Sequence, residues 1–116
     1  MEFYGDVLRI DWREMIRAMV YDRKHGTDVS LISAKFLNTL TEMGVKIAVQ
    51  AGKKYGVKDI VLSGGSFQNM YIMKRLPEKL RREGFNVYTH RRISTNDEGI
   101  SLGQLMAAQA VLEKRK

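Results

Sequence analysis

No cysteine occurs in this chain, which removes structural disulfides, thiol nucleophiles and thiolate-held zinc or iron–sulfur centres from consideration. Its absence also fits a reducing compartment. Proline is almost as scarce, one residue in 116, so no proline-rich linker divides the sequence. No hydrophobic run reaches the roughly 18 apolar residues that a membrane span needs. Glu2, Asp6 and Arg9 break up any amino-terminal leader. Internal repeats and low-complexity tracts are missing too. What is there, 44% hydrophobic and 28% charged residues, describes one ordinary domain over residues 1–116 with a single modest core. The expectation is a cytoplasmic protein without a membrane contact.

Charge raises a second question, because 20 Lys and Arg face 13 Asp and Glu, a formal +7. Such a balance suggests nucleic acid, but the distribution argues otherwise. Basic residues come in short groups at Arg23-Lys24, Lys53-Lys54, Lys79 to Arg82, Arg91-Arg92 and Lys114 to Lys116. Most fall at expected helix C-termini, where cations complement the helix dipole. Trp12 and the five tyrosines do not alternate with them into a stacking platform. A solvated basic face is the better reading.

Periodicity supplies the elements. Gly5 and Asp6 lead into a short extended run at Val7 to Ile10. Asp11 reads as an N-cap with Glu14 as its capping-box partner, opening a helix whose face carries Trp12, Met15, Ile16, Met19 and Val20. Thr27 or Asp28 caps the next helix, in which Ile32, Phe36, Leu40, Met43, Ile47 and Ala51 recur at three- and four-residue steps until Gly56 stops it. From Val29 to Tyr55 it would span roughly 40 Å. Ile60-Val61-Leu62 reads as a buried parallel strand. A helix from Asn69 to Gly84 follows, which Pro77 should interrupt or restart. Phe85 to Thr89 makes a second strand, and Ile100 to Lys114 the last helix. The expected fold is α/β, helix-helix-strand-helix-strand-helix, with a small parallel sheet.

Two segments offer chemistry. Leu62-Ser63-Gly64-Gly65-Ser66-Phe67-Gln68-Asn69 lies at the carboxyl end of a buried strand and opens a helix, where paired glycines allow close backbone approach and free amides favour an anion. It has neither a P-loop ending nor dinucleotide spacing, so a tight turn without a ligand is an equal reading. Asn96-Asp97-Glu98-Gly99 precedes the last helix, and Asp97 reads either as a metal ligand or general base or as part of an N-cap cluster. The methionines read as core filling. His25 and His90 have no metal-ligand spacing. A triad drawn from Ser63 or Ser66, His90 and Asp97 lacks the Gly-x-Ser-x-Gly elbow.

Leu62-Ser63-Gly64-Gly65-Ser66-Phe67-Gln68-Asn69, then Gly84-Phe85, then Asn96-Asp97-Glu98-Gly99-Ile100-Ser101-Leu102-Gly103-Gln104 resembles the C-terminal end of the hydrogenase-maturation carbamoyltransferases, the HypF family. Their usual wording is close to L-S-G-G-V-F-Q-N and N-D-G-G-I-S-L-G-Q, and the similarity runs from about Asp11 onward. The resemblance implies a partial actin-like (ribonuclease H-like) lobe of a sugar-kinase-like ATPase fold. It implies ATP or carbamoyl-adenylate with a divalent metal as ligands. Gly64, Gly65 and Asn69 would contact the nucleotide, and Asp97 would complete a metal site. It also implies a hydrogenase-maturation partner that receives the carbamoyl group. Three positions depart from the pattern. Ser66 stands where valine is usual, Glu98 where glycine is usual, and Leu37 where histidine is frequent. The family's earlier domains, and the first half of its actin-like domain with the metal-binding histidines, have no counterpart in this sequence. An incomplete reaction centre follows, with Asp97 alone unable to hold a transition metal tightly.

Two other readings stand beside this one: a degenerate lobe that dimerises or docks on a partner, and a small basic nucleic-acid binder. Two short strands cannot satisfy their own edges or cover so many apolar helix faces. A homodimer through the long helix or the sheet edges, or a separate protein supplying the missing lobe, is therefore expected.

Overall fold

The apolar stripe from Ile32 to Ala51 forms one continuous helix, α2 (Val29–Tyr55), in the computed structural model, which describes residues 2–4 and 7–114. Met1, Gly5, Asp6 and the end of the basic group at Arg115-Lys116 lie outside the described residues. The chain divides into two compact units, residues 1–43 and 44–116, and α2 runs through the division.

The first unit starts with strands β1 (Glu2–Tyr4) and β2 (Val7–Arg9), paired antiparallel with Phe3 opposite Leu8. Helix α1 (Arg13–Lys24) follows. The capping box at Asp11 does not form. The N-cap position is Trp12, which makes no side-chain cap bond. Asp11 instead accepts from the Arg13 backbone amide at 3.0 Å and from its Nε at 2.9 Å, while Glu14 pairs with Arg17. Charge-assisted bonds to a guanidinium outcompete the neutral cap. The Arg13 side chain also holds the Asp11 carboxyl well below the usual carboxylate range. No residue of α1 is buried. His25 closes the helix, stacked on Tyr21 with centroids 3.9 Å apart and its Nδ1 2.9 Å from the Tyr21 carbonyl.

Helix α2 begins at Asp28, whose carbonyl accepts from Leu31 and Ile32 at 3.1 Å. The Ser30 hydroxyl donates to its carboxylate and lowers its pKa. Thr41 is buried, and its hydroxyl is satisfied by the Leu37 carbonyl at 2.9 Å, as a buried polar group requires. Leu37, one of the three departures, contributes that carbonyl.

The second unit holds the parallel pair β3 (Asp59–Leu62) and β4 (Asn86–Thr89), with Ile60 beside Val87 and Leu62 beside Thr89. Between them lie a 3-10 turn (Gly65–Gln68) and helix α3 (Met70–Arg82). Pro77 does not interrupt α3. It sits inside the helix and is buried with Ile72, Leu76 and Leu80. Burial of that stripe outweighs the one hydrogen bond proline cannot donate to the carbonyl four residues back. Leu62 and Val45 complete the buried apolar set of this unit. Gly52 sits where α2 meets Phe85: a β-carbon there would lie 2.8 Å from the Phe85 ring, so only glycine allows this approach. Helix α4 (Glu98–Glu113) closes the chain, and no residue of it is buried.

Candidate functional site

Strands β3 and β4 end in register at Leu62 and Thr89, so the next residues emerge side by side at their carboxyl ends. There His90 Nε2 lies 3.1 Å from Ser63 Oγ. The Gly64 amide donates to the Thr95 carbonyl at 2.7 Å, and Gln68 Nε2 to Ser94 Oγ at 3.4 Å. These three bridges hold the glycine turn against the loop that leads into Asn96-Asp97. The crevice at strand carboxyl ends is where open α/β sheets take ligands.

Gly64 has φ 109 and ψ 160, a conformation essentially confined to glycine. Gly65 lacks a positive φ. A β-carbon on either would meet nothing within 4 Å, so the turn presents an open backbone face. Asn69 is the N-cap of α3: its Oδ1 accepts from Tyr71 N at 2.9 Å and Ile72 N at 3.2 Å. Its NH₂ end is the part left for a ligand. Asn69→Ala should cost about 0.5–2 kcal/mol of stability, read from urea denaturation followed by circular dichroism. A loss below about 0.3 kcal/mol would mean that solvent replaces the cap without penalty.

Asp97 occupies the N-cap position of α4 but makes no side-chain cap bond. Asn96 takes that role, its Oδ1 accepting from the Glu98 amide at 3.1 Å. The Asp97 carboxylate therefore stays exposed and uncommitted to the helix. Glu98 and Ser66, the other two departures, are also exposed. A triad does not assemble: Ser63 meets His90, but no hydrogen bond joins His90 to Asp97 among the described residues. His25 belongs to the first unit, stacked on Tyr21. Sequence reasoning missed the bridging role of Gln68, Ser94 and Thr95: Gln68 lies in the first motif, but Ser94 and Thr95 lie outside both, and partners distant in sequence leave no local signal.

The lining of the second unit offers another feature, an apolar groove of about 390 Å³ between α2, β3 and α3, edged by Ala48, Ile60, Phe67 and Phe85. Among the described residues, no group of three or more His, Cys, Asp or Glu side chains converges as a metal site. Among the described residues, no helix is long and apolar enough to cross a membrane.

Residues 1–104 match the family described as carbamoyltransferase, Kae1-like domain, second subdomain. The carbamoyltransferase HypF of Synechocystis sp. is 35% identical over 100 residues, covering 86% of this chain and 12% of that protein. A probable carbamoyltransferase HypF of Methanocaldococcus jannaschii is 39% identical over 62 residues, 53% of this chain and 8% of that one. A tRNA N6-adenosine threonylcarbamoyltransferase of Dictyoglomus turgidum is 30% identical over 79 residues, 66% of this chain and 24% of that one. The crystal structure of full-length HypF in a phosphate- and nucleotide-bound form superposes with a TM-score of 0.84 at 41% identity, covering 97% of this chain and 16% of that one. The chain thus spans about an eighth or less of the length of these two HypF relatives.

Proposed function

The chain belongs to the family of the second subdomain of the carbamoyltransferase Kae1-like domain, and on that premise we propose that it supplies nucleotide-side binding surface for carbamoyl transfer in hydrogenase maturation. The observation that carries the reading is the Gly64–Thr95 bond of 2.7 Å, which ties the first family motif to the residue immediately before the second at the strand ends. The full-length relative in nucleotide-bound form supports it as well. Neither the docking-module reading nor the nucleic-acid reading has support of that specificity.

In this reading Gly64 shapes the turn and Gly65 offers its open backbone to the nucleoside. Asn69 directs an amide N–H at it. Asp97 is one hard oxygen donor, which fits a magnesium ion shared with nucleotide phosphates, since that ion keeps several waters and needs only one or two carboxylates. Such an ion would offset phosphate charge. No residue of this chain is assigned to the bond-making step, because that needs groups held in place from outside this surface. Nucleotide affinity is correspondingly modest. The exposed apolar residues of α4, Leu105 and Met106 among them, call for a protein cover, and a second copy or a separate lobe-bearing partner would place it there.

Calorimetric titration with ATP and magnesium tests the reading. A saturable heat with Kd on the order of 1 mM or tighter is expected, and Asp97→Asn should remove the gain that magnesium brings while adenosine binding persists. No heat at millimolar nucleotide, with the circular dichroism spectrum unchanged, overturns it.

A further inference from the structure

We infer that the β4 exit, His90 with Arg91 and Arg92, forms an anion-binding corner that takes the phosphate end of a ligand seated on the Gly64-Gly65 turn. The inference deepens the nucleotide reading and rests on it. The hydrogen bond of 3.1 Å between His90 Nε2 and Ser63 Oγ fixes the start of this segment against the turn. The Gly64–Thr95 bond fixes its end. Arg91 and Arg92 are thereby carried on a short loop tethered at both sides to the turn, and both are exposed.

Their charges are uncommitted. Arg13, Arg17, Lys35 and Arg82 are each held by a carboxylate, and Arg75 lies over the Tyr71 ring. Neither Arg91 nor Arg92 has such a partner among the described residues. As exposed surface these two guanidiniums gain nothing from each other, since neighbouring like charges in water repel weakly. As phosphate ligands they gain charge-assisted, fork-shaped hydrogen bonds. The acidic neighbours on the same loop are Asp97 and Glu98, both exposed beyond Asn96. They offset the net charge of the corner, so the guanidiniums act on the anion through directed hydrogen bonds rather than through net charge.

The shared ligand chemistry is a pyrophosphate-like anion, from a nucleotide or free in solution. Amide NMR on the intact chain, titrated separately with pyrophosphate, adenosine and ATP without magnesium at constant ionic strength, separates the sources. Pyrophosphate should shift the amides of residues 63–65 and 90–92 saturably, and the double variant Arg91→Gln/Arg92→Gln should weaken it about tenfold. Arg81→Gln, at the opposite end of the strands, should leave it unchanged. If pyrophosphate moves no amide of this corner, or if the double variant binds it as tightly as the parent, the inference is wrong. It is also wrong if Arg81→Gln weakens binding equally, since the effect is then net charge alone. Pyrophosphate binding here without any adenosine effect upholds the corner and removes the nucleoside reading. Adenosine binding without pyrophosphate does the reverse.

Discussion

Leu80→Ala should cost about 2–5 kcal/mol of unfolding free energy, a large share of the roughly 5–15 kcal/mol that a whole domain possesses. Leu80 is 1% exposed and lies on the one face of α3 that is buried, with Ile72, Leu76 and Pro77. Its carbonyl also accepts from Glu83 and Phe85 at 3.1 Å, so the chain reverses direction at this residue to enter β4. The apolar groove of about 390 Å³ that Leu80 lines already leaves space beside it. Removing the side chain extends that space, and the unfilled volume adds to the transfer penalty. Urea denaturation at matched concentration is the measurement. Met70→Ala, on the same helix but 80% exposed, should stay within about 0.5 kcal/mol. If Leu80→Ala stayed within about 1 kcal/mol of the parent, this face of α3 would not be the core of its unit.

Long, strongly periodic segments are legible in the sequence, and single interactions are not. The bounds of α2 follow from a stripe that starts after Asp28 and stops at Gly56. Both strands of the parallel pair follow from short apolar runs between turn residues. Strand β1, Glu2–Tyr4, is not legible, because three residues carry no usable alternation and its pairing with Val7–Arg9 is a contact rather than a pattern. Pro77 misleads because its local cost is visible in the sequence while the burial of its own ring and of Leu76 and Leu80 is not. Asp11 misleads because capping competes with an ion pair only two residues away. At the site, the glycine turn and the Asn96-Asp97 loop are each visible. Their juxtaposition through Ser63–His90, Gln68–Ser94 and Gly64–Thr95 is not, since such bonds join residues with no common local signal. The family motifs carry that information in another form, as order and spacing.

The paired glycines have different jobs, and two substitutions should separate them. At Gly64 the backbone itself demands glycine: φ 109 with ψ 160 strains any other residue by about 1–3 kcal/mol. Since an added β-carbon would touch nothing within 4 Å, the cost is torsional and not steric. Gly64→Ala should therefore relax the turn, break the Gly64–Thr95 bond and lower stability by about that amount. Hydrogen exchange at residue 64 would report the broken bond directly. Gly65 starts the 3-10 turn without a positive φ, so alanine fits its backbone and should leave stability unchanged or raise it by up to about 1 kcal/mol through the unfolded chain. Folding gives no reason for glycine there. If the open backbone face at Gly65 receives the nucleoside, a methyl group must stand in its way. Gly65→Ala should then weaken ATP at least about tenfold, because losing close approach removes contacts worth about 1.4 kcal/mol or more. An alanine at position 65 that binds ATP as the parent does would show that the ligand, if bound at this turn, does not approach over Gly65. An alanine at position 64 that keeps full stability and a protected amide would show that the turn does not hold the conformation described.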